Sequence, residues 1–167
     1  MNISKLEYPN GYPERLRPLG KAIDSKFDPN EELYLRFLQV SPITGRPDFG
    51  EIRCPDLSVN RSKYSAPEDV LWSSFTYLMH WGIGSLRVHQ ATFDLFGGDG
   101  IVIKFLVEHD PVLGSEEFPE NYSHCEVRAY KLGVRRPALP AKVKLEFRQR
   151  IAESIVKLKD PTSPDAS

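Results

Sequence analysis

The chain has only two cysteines, Cys54 and Cys125, far apart in sequence. Two thiols do not build the disulfide framework that stabilises small secreted domains, so reduced cysteines are expected. A long apolar run is also missing. The richest stretch, around Val70 to Ile83, is interrupted by Ser73, Ser74, Thr76, His80 and Gly82 and falls short of a bilayer. No charged leader followed by an apolar segment opens the chain, so no secretory signal is read. These absences lead to the expectation of a soluble, cytoplasmic protein without a membrane partner. They also deprive the Asn121-Tyr122-Ser123 glycosylation pattern of meaning.

Catalytic signatures are absent too. There is no Gly-x-Ser-x-Gly elbow, no phosphate-binding loop ending in Gly-Lys-Ser/Thr and no Gly-x-Gly-x-x-Gly. Neither His-x-x-x-His nor Cys-x-x-Cys occurs. His109, His124, Glu126 and Asp110 are residue types that zinc, iron or manganese would accept, but without metal-motif spacing. No cofactor and no metal are therefore expected.

What is present describes a globular chain. Its 167 residues are 40% hydrophobic and 27% charged, enough for one domain with a real core. The organisation read from it is an irregular arm over residues 1–27, rich in proline and glycine, a domain over 28–159 and a flexible tail over 160–167. The net charge of −1 hides an asymmetry. Residues 1–130 carry 13 basic and 19 acidic side chains, whereas 131–159 carry nine basic and two acidic. Such a basic segment marks either a polyanion-binding surface or a helix lying on its own acidic body.

Residues 31–39 suit a short helix or a strand, and the Asp28-Pro29 start favours the helix. Ser65-Ala66-Pro67-Glu68 has the spacing of a capping box, predicting a central helix that turns Val70, Leu71, Phe75, Leu78 and Met79 inward and ends before Gly82. Leu86 to Phe96, Ile101 to His109 and Tyr122 to Lys131 read as strands of an antiparallel meander. Gly97-Gly98-Asp99-Gly100 forms its first turn. Pro140 precedes a final amphipathic helix, Ala141 to about Lys159, whose stripe is Val143, Phe147, Ile151, Ile155 and Leu158. A second stripe comprises Leu145, Ala152 and Val156, with Lys144 and Arg148 projecting between the two. The expected fold is α+β: an antiparallel sheet of three or more strands packed with a central helix and a C-terminal amphipathic helix.

Two functional readings follow. In the first, a binding or accessory protein engages an acidic partner through its basic C-terminal helix, using Arg135, Arg136, Lys142, Lys144 and Arg148. The partner is an acidic protein, a second copy of the chain or a nucleic acid. Arg61 and Lys63, before the best helix start, add a candidate phosphate site. In the second, His109 and His124 act as acid and base on a phosphate-bearing substrate, with Glu126 beside them and Arg128, Arg61 or Lys63 as the anion clamp. Strand alternation counts against that pair, because it puts His109 on the apolar face and His124 on the polar one.

Overall fold

Successive side chains of a strand point to opposite faces, so a strand that alternates apolar and polar residues joins a core to a second surface. The computed structural model, which describes residues 8–17, 21–115 and 118–163, is built almost wholly on that pattern. Its strands are β1 Glu32–Phe37, β2 Leu57–Arg61, β3 Trp72–Ser73, β4 Thr76–Tyr77, β5 Gly82–Arg87, β6 Phe93–Phe96, β7 Val102–His109, β8 His124–Lys131, β9 Val134–Arg135 and β10 Val156–Lys159. The α-helix α1 spans Ala141–Ser154. Eight strands form one antiparallel sheet in the order β10-β5-β1-β2-β8-β7-β6, with β9 on β8, while β3 and β4 make a separate hairpin.

The sheet curls into a half-barrel around α1. Leu33 and Leu35 of β1, Leu57 and Val59 of β2, Ile103 and Phe105 of β7, and Cys125, Val127 and Ala129 of β8 face inward. Val143, Phe147 and Ile151 of α1 fill the enclosed space. The Phe147 ring lies 4.5 Å from that of Phe105 and 5.8 Å from that of Phe93. The described part of the N-terminal arm lies on the sheet: Leu16 is fully buried, and its carbonyl accepts from the Tyr122 amide at 2.8 Å. Among the described residues no helix is long and apolar enough to cross a membrane.

The expected central helix does not exist. Residues Pro67–Leu71 form one 3-10 turn, and the chain then reverses through the β3–β4 hairpin. Ser65 does not cap this turn. Its hydroxyl donates to the Arg61 carbonyl, and the Asp69 carboxylate accepts the Ala66 amide instead. The segment after Leu71 is rich in aromatic and β-branched residues, which favour extended structure, and Ser74 takes a positive φ of 56° at the reversal. Met79, expected in the core, is 59% exposed.

Four further elements differ from expectation. Residues 32–37 are a strand, because Leu33, Tyr34 and Leu35 are all buried and both faces of β1 are covered. The polar stretch 57–61, to which the sequence assigns no strand, is the central strand β2. The last helix stops at Ser154, and β10 pairs with the edge of β5, so Val156 and Leu158 of the two expected stripes are exposed on a strand. β7, β8 and the glycine turn agree with the alternation read in the sequence, but the expected strand Leu86 to Phe96 is broken: Leu86 and Arg87 end β5, Val88–Gln90 form a 3-10 turn and Phe93–Phe96 form β6. The tail residues 164–167 lie outside the described residues.

Closing the sheet edge needs a residue without a side chain at position 82. A Cβ there would meet the Phe37 ring at 2.6 Å and the Lys159 carbonyl oxygen at 2.9 Å. Gly82→Ala is therefore expected to destabilise the fold by about 1–3 kcal/mol through overpacking. Denaturant unfolding of the variant checks this, and an unchanged midpoint would contradict the tight β1–β5–β10 corner.

Candidate functional site

The two histidines are not brought together. In the β7–β8 ladder His109 pairs with Cys125, so His124, one residue earlier on β8, projects from the opposite face. His109 is 6% exposed. Its Nδ1 accepts the Asp24 amide at 2.9 Å, which leaves Nε2–H to donate to the Tyr122 carbonyl at 2.5 Å. The ring is thus held neutral, stacked on Tyr64 and edge-on to Tyr122. Burial holds its pKa below the ordinary imidazole value, and the nearby Arg61 charge adds to the effect. His124 donates from Nδ1 to the Asp110 carbonyl at 2.7 Å, with Nε2 3.9 Å from Glu126. A ring locked between two backbone groups on one face cannot exchange protons with one on the other.

Arg61 sits beside His109 and is fully buried. Its Nε and Nη2 grip the Glu31 carboxylate at 3.0 and 3.1 Å. Nη1 donates to the Asp24 carbonyl at 2.8 Å and Nη2 to that of Lys26 at 2.9 Å. The guanidinium also lies 4.1 Å from the Phe27 ring centre. With four hydrogen bonds made inside the protein, it anchors the arm and offers nothing to a phosphate. Lys63 is half exposed, yet its ammonium binds Asp24 at 2.8 Å. Hydrogen bonds from Lys63, from Tyr64 and from the Lys26 amide hold the Asp24 carboxyl well below the usual carboxylate range.

Arg128 is likewise clamped rather than clamping. Glu108 and Glu126 face each other across β7 and β8, a like-charge pairing that would destabilise the ladder alone. The Arg128 guanidinium lies between them, 2.9 Å from Glu108 and 2.7 Å from both Glu126 and Asp110. Arg135 reaches Glu108 at 2.9 Å, and Arg136 reaches Asp56 at 3.5 Å and Glu126 at 3.7 Å. Asp110, His124 and Glu126 do place ligand-type atoms within 4.8 Å of one another. Arg128 already supplies to those carboxylates the positive charge that a metal would bring. Both thiols are buried in the core, which pushes the pKa of Cys54 to about 11 and of Cys125 to about 12 and leaves neither a nucleophile at neutral pH.

The remaining candidates lie on α1. Lys142, Lys144, Arg148 and Arg150 have no carboxylate partner among the described residues, whereas Lys131, Arg135, Arg136 and Lys157 of the basic segment do. Lys131 and Lys157 pair with Asp99 and Asp160, each at 2.7 Å, and Lys159 donates to the carbonyls of Met79 and Trp81. Arg148 Nε donates to the Ile52 carbonyl at 3.0 Å, leaving its charge unopposed, and Arg150 lies over the Phe93 ring. No family model, curated protein or solved structure matches this chain. The functional reading therefore stands on geometry alone. Charge counting marked the segment 131–159 correctly as asymmetric but could not show which cations find partners.

The His109 geometry has a pH consequence. Its folded pKa lies below the ordinary 6.5, so the unfolded chain binds the proton first. Its contribution to stability is complete above about pH 6.5 and is lost as pH falls through the depressed folded value. Asp24 has the same sign lower down, complete above about pH 3.8 and lost below it. Equilibrium unfolding from pH 7 to pH 5 should show wild-type stability falling, with a shallower fall for His109→Gln. Equal slopes would contradict the buried neutral ring.

Proposed function

We propose that the chain is a binding or accessory protein that engages an acidic protein surface through the outer face of α1. The observation that carries this reading is the partition of charge within the basic segment. Arg135 and Arg136 are neutralised by Glu108, Asp56 and Glu126, whereas the four helix cations have no opposing carboxylate among the described residues. An acidic partner would supply what the protein itself does not, and such complementarity speeds encounter and selects partners.

The helix face also has the composition of a protein contact. Leu145 is 43% exposed among Lys142, Lys144 and Gln149, so a partner would cover apolar surface as well as pair charges. Single-stranded nucleic acid would need aromatic platforms. The aromatic residue of α1, Phe147, is buried in the core, which favours protein over nucleic acid.

Lys142→Glu with Lys144→Glu removes two cations that make no ion pair among the described residues. Association with poly-glutamate, measured by titration at low salt, should weaken at least about tenfold, while thermal stability stays within about 0.5 kcal/mol. Raising the salt should weaken the wild-type complex. A polynucleotide of equal charge that binds more tightly would move the reading to nucleic acid. Unchanged poly-glutamate binding in the double variant would remove α1 from it.

A further inference from the structure

On the face of the sheet opposite α1, the ladder between β1 and β2 is incomplete. The two strands keep register at Leu33↔Arg61 and Tyr34↔Asn60, and no pairs follow. Where they part, a cleft of about 430 Å³ opens, within the range of small-molecule sites, roughly 300–1,000 Å³. Tyr34 and Arg36 line it from β1, Ser58 from β2 and Arg53 from the preceding loop. The 3-10 turn and hairpin bring up Trp72, and the approach to β5 brings Trp81. These are the only two tryptophans in the chain. A sheet face left to solvent would carry polar residues in an open row, whereas this one is walled and aromatic.

Arg36 supplies the chemistry. It is partly buried, and its acceptors are neutral: the Val70 carbonyl at 2.9 Å, the Trp72 carbonyl at 3.3 Å and the Ser73 hydroxyl at 3.3 Å. No carboxylate among the described residues pairs with it, and burial lowers its pKa, a desolvation that its neutral acceptors do not offset with charge. Its guanidinium lies 5.6 Å from the Trp81 ring centre. Arg53, exposed at the rim, makes no ion pair among the described residues. Glu51, the carboxylate on the same wall, is turned to the Leu38 amide at 3.2 Å. Two cations and two indoles thus converge on a space too small for a folded segment.

We propose that this cleft binds a small organic anion with a planar aromatic body, its carboxylate or phosphate held by Arg36 and Arg53 and its ring placed against Trp72 and Trp81. A desolvated guanidinium recovers interaction energy when an anion joins it, and bidentate geometry suits both groups. Stacking on indole and the guanidinium plane selects a flat ligand over a bare ion. The site is separate from the cation face of α1 and does not depend on it.

Because both tryptophans line the cleft, intrinsic fluorescence reports occupancy directly. Phenyl phosphate and benzoate are the two anionic probes, with benzyl alcohol and inorganic phosphate as controls. The expected result is a saturable change with at least one aromatic anion, and affinity about tenfold lower for each control. Arg36→Ala should weaken binding about tenfold or more, and Arg53→Ala several-fold. If Arg36→Ala fails to fold for want of its carbonyl bonds, Arg53→Ala decides, since that side chain makes no ion pair. The Lys142→Glu, Lys144→Glu variant should bind the aromatic probe as the wild type does. No saturable response to either anion would overturn the proposal. So would equal binding of benzyl alcohol or inorganic phosphate, unchanged affinity in the folded arginine variants, or loss of binding in the α1 variant.

Discussion

The packing of Phe147 against Phe105 and Phe93 is the contact on which the rest of the structure depends. A curled sheet leaves an apolar hollow, and α1 fills it with Val143, Phe147 and Ile151. Burying one such ring contributes about 1.5–3 kcal/mol, and its loss would leave a cavity at the centre of the sheet. The same contact sets the rotation of α1. With its apolar stripe turned inward, Lys142, Leu145, Gln149 and Arg150 face outward. Residues on the other side of each strand are pushed to the far face of the sheet, where the aromatic cleft opens.

Charge is sorted by that geometry. Arg61 and Arg128 are the most deeply buried cations described, and each is surrounded by acceptors on neighbouring elements. Breaking such a pair by removing one partner typically costs about 3–5 kcal/mol, because the other charge is left buried. These arginines bind the arm to β2 and hold like-charged β7 and β8 together. The cations that remain for a partner, Lys142, Lys144, Arg148 and Arg150 of α1, form no ion pair with a carboxylate among the described residues. Arg36 belongs to neither group: it is drawn into a cleft by carbonyls and a hydroxyl, beside an indole.

How much of this was legible in the sequence depended on whether one face of an element stayed polar. β7 places Ile103, Phe105 and Val107 at every second position after a glycine-rich turn, and β8 does the same with Cys125, Val127 and Ala129, so their strands and inward residues were readable. β1 was not, because Tyr34 is covered by Val70, Leu71 and Ile83 on the face that alternation would leave to water. β2 was hidden by the exposed Ser58 and by Asn60 and Arg61, polar residues that tertiary partners bury. The false central helix arose because Val70, Leu71 and Phe75 fall by chance at helical spacing, while local turn chemistry favoured a 3-10 turn and a hairpin. The separation of His109 from His124 followed from strand parity alone. Arg36, Trp72 and Trp81 gave no local signal, since they meet only through the parting of β1 from β2.

The central claim is that α1 is committed to the core on one side and offers unopposed cations on the other. Lysine acetylation footprinting, read by mass spectrometry with and without poly-glutamate, tests it most directly because it compares paired and unpaired lysines in one molecule. The account predicts that Lys142 and Lys144 react readily in the free protein and are protected in the complex, while Lys63 and Lys131, already held by Asp24 and Asp99, change little. Protection at Lys63 or Lys131 with Lys142 and Lys144 unaffected would contradict it.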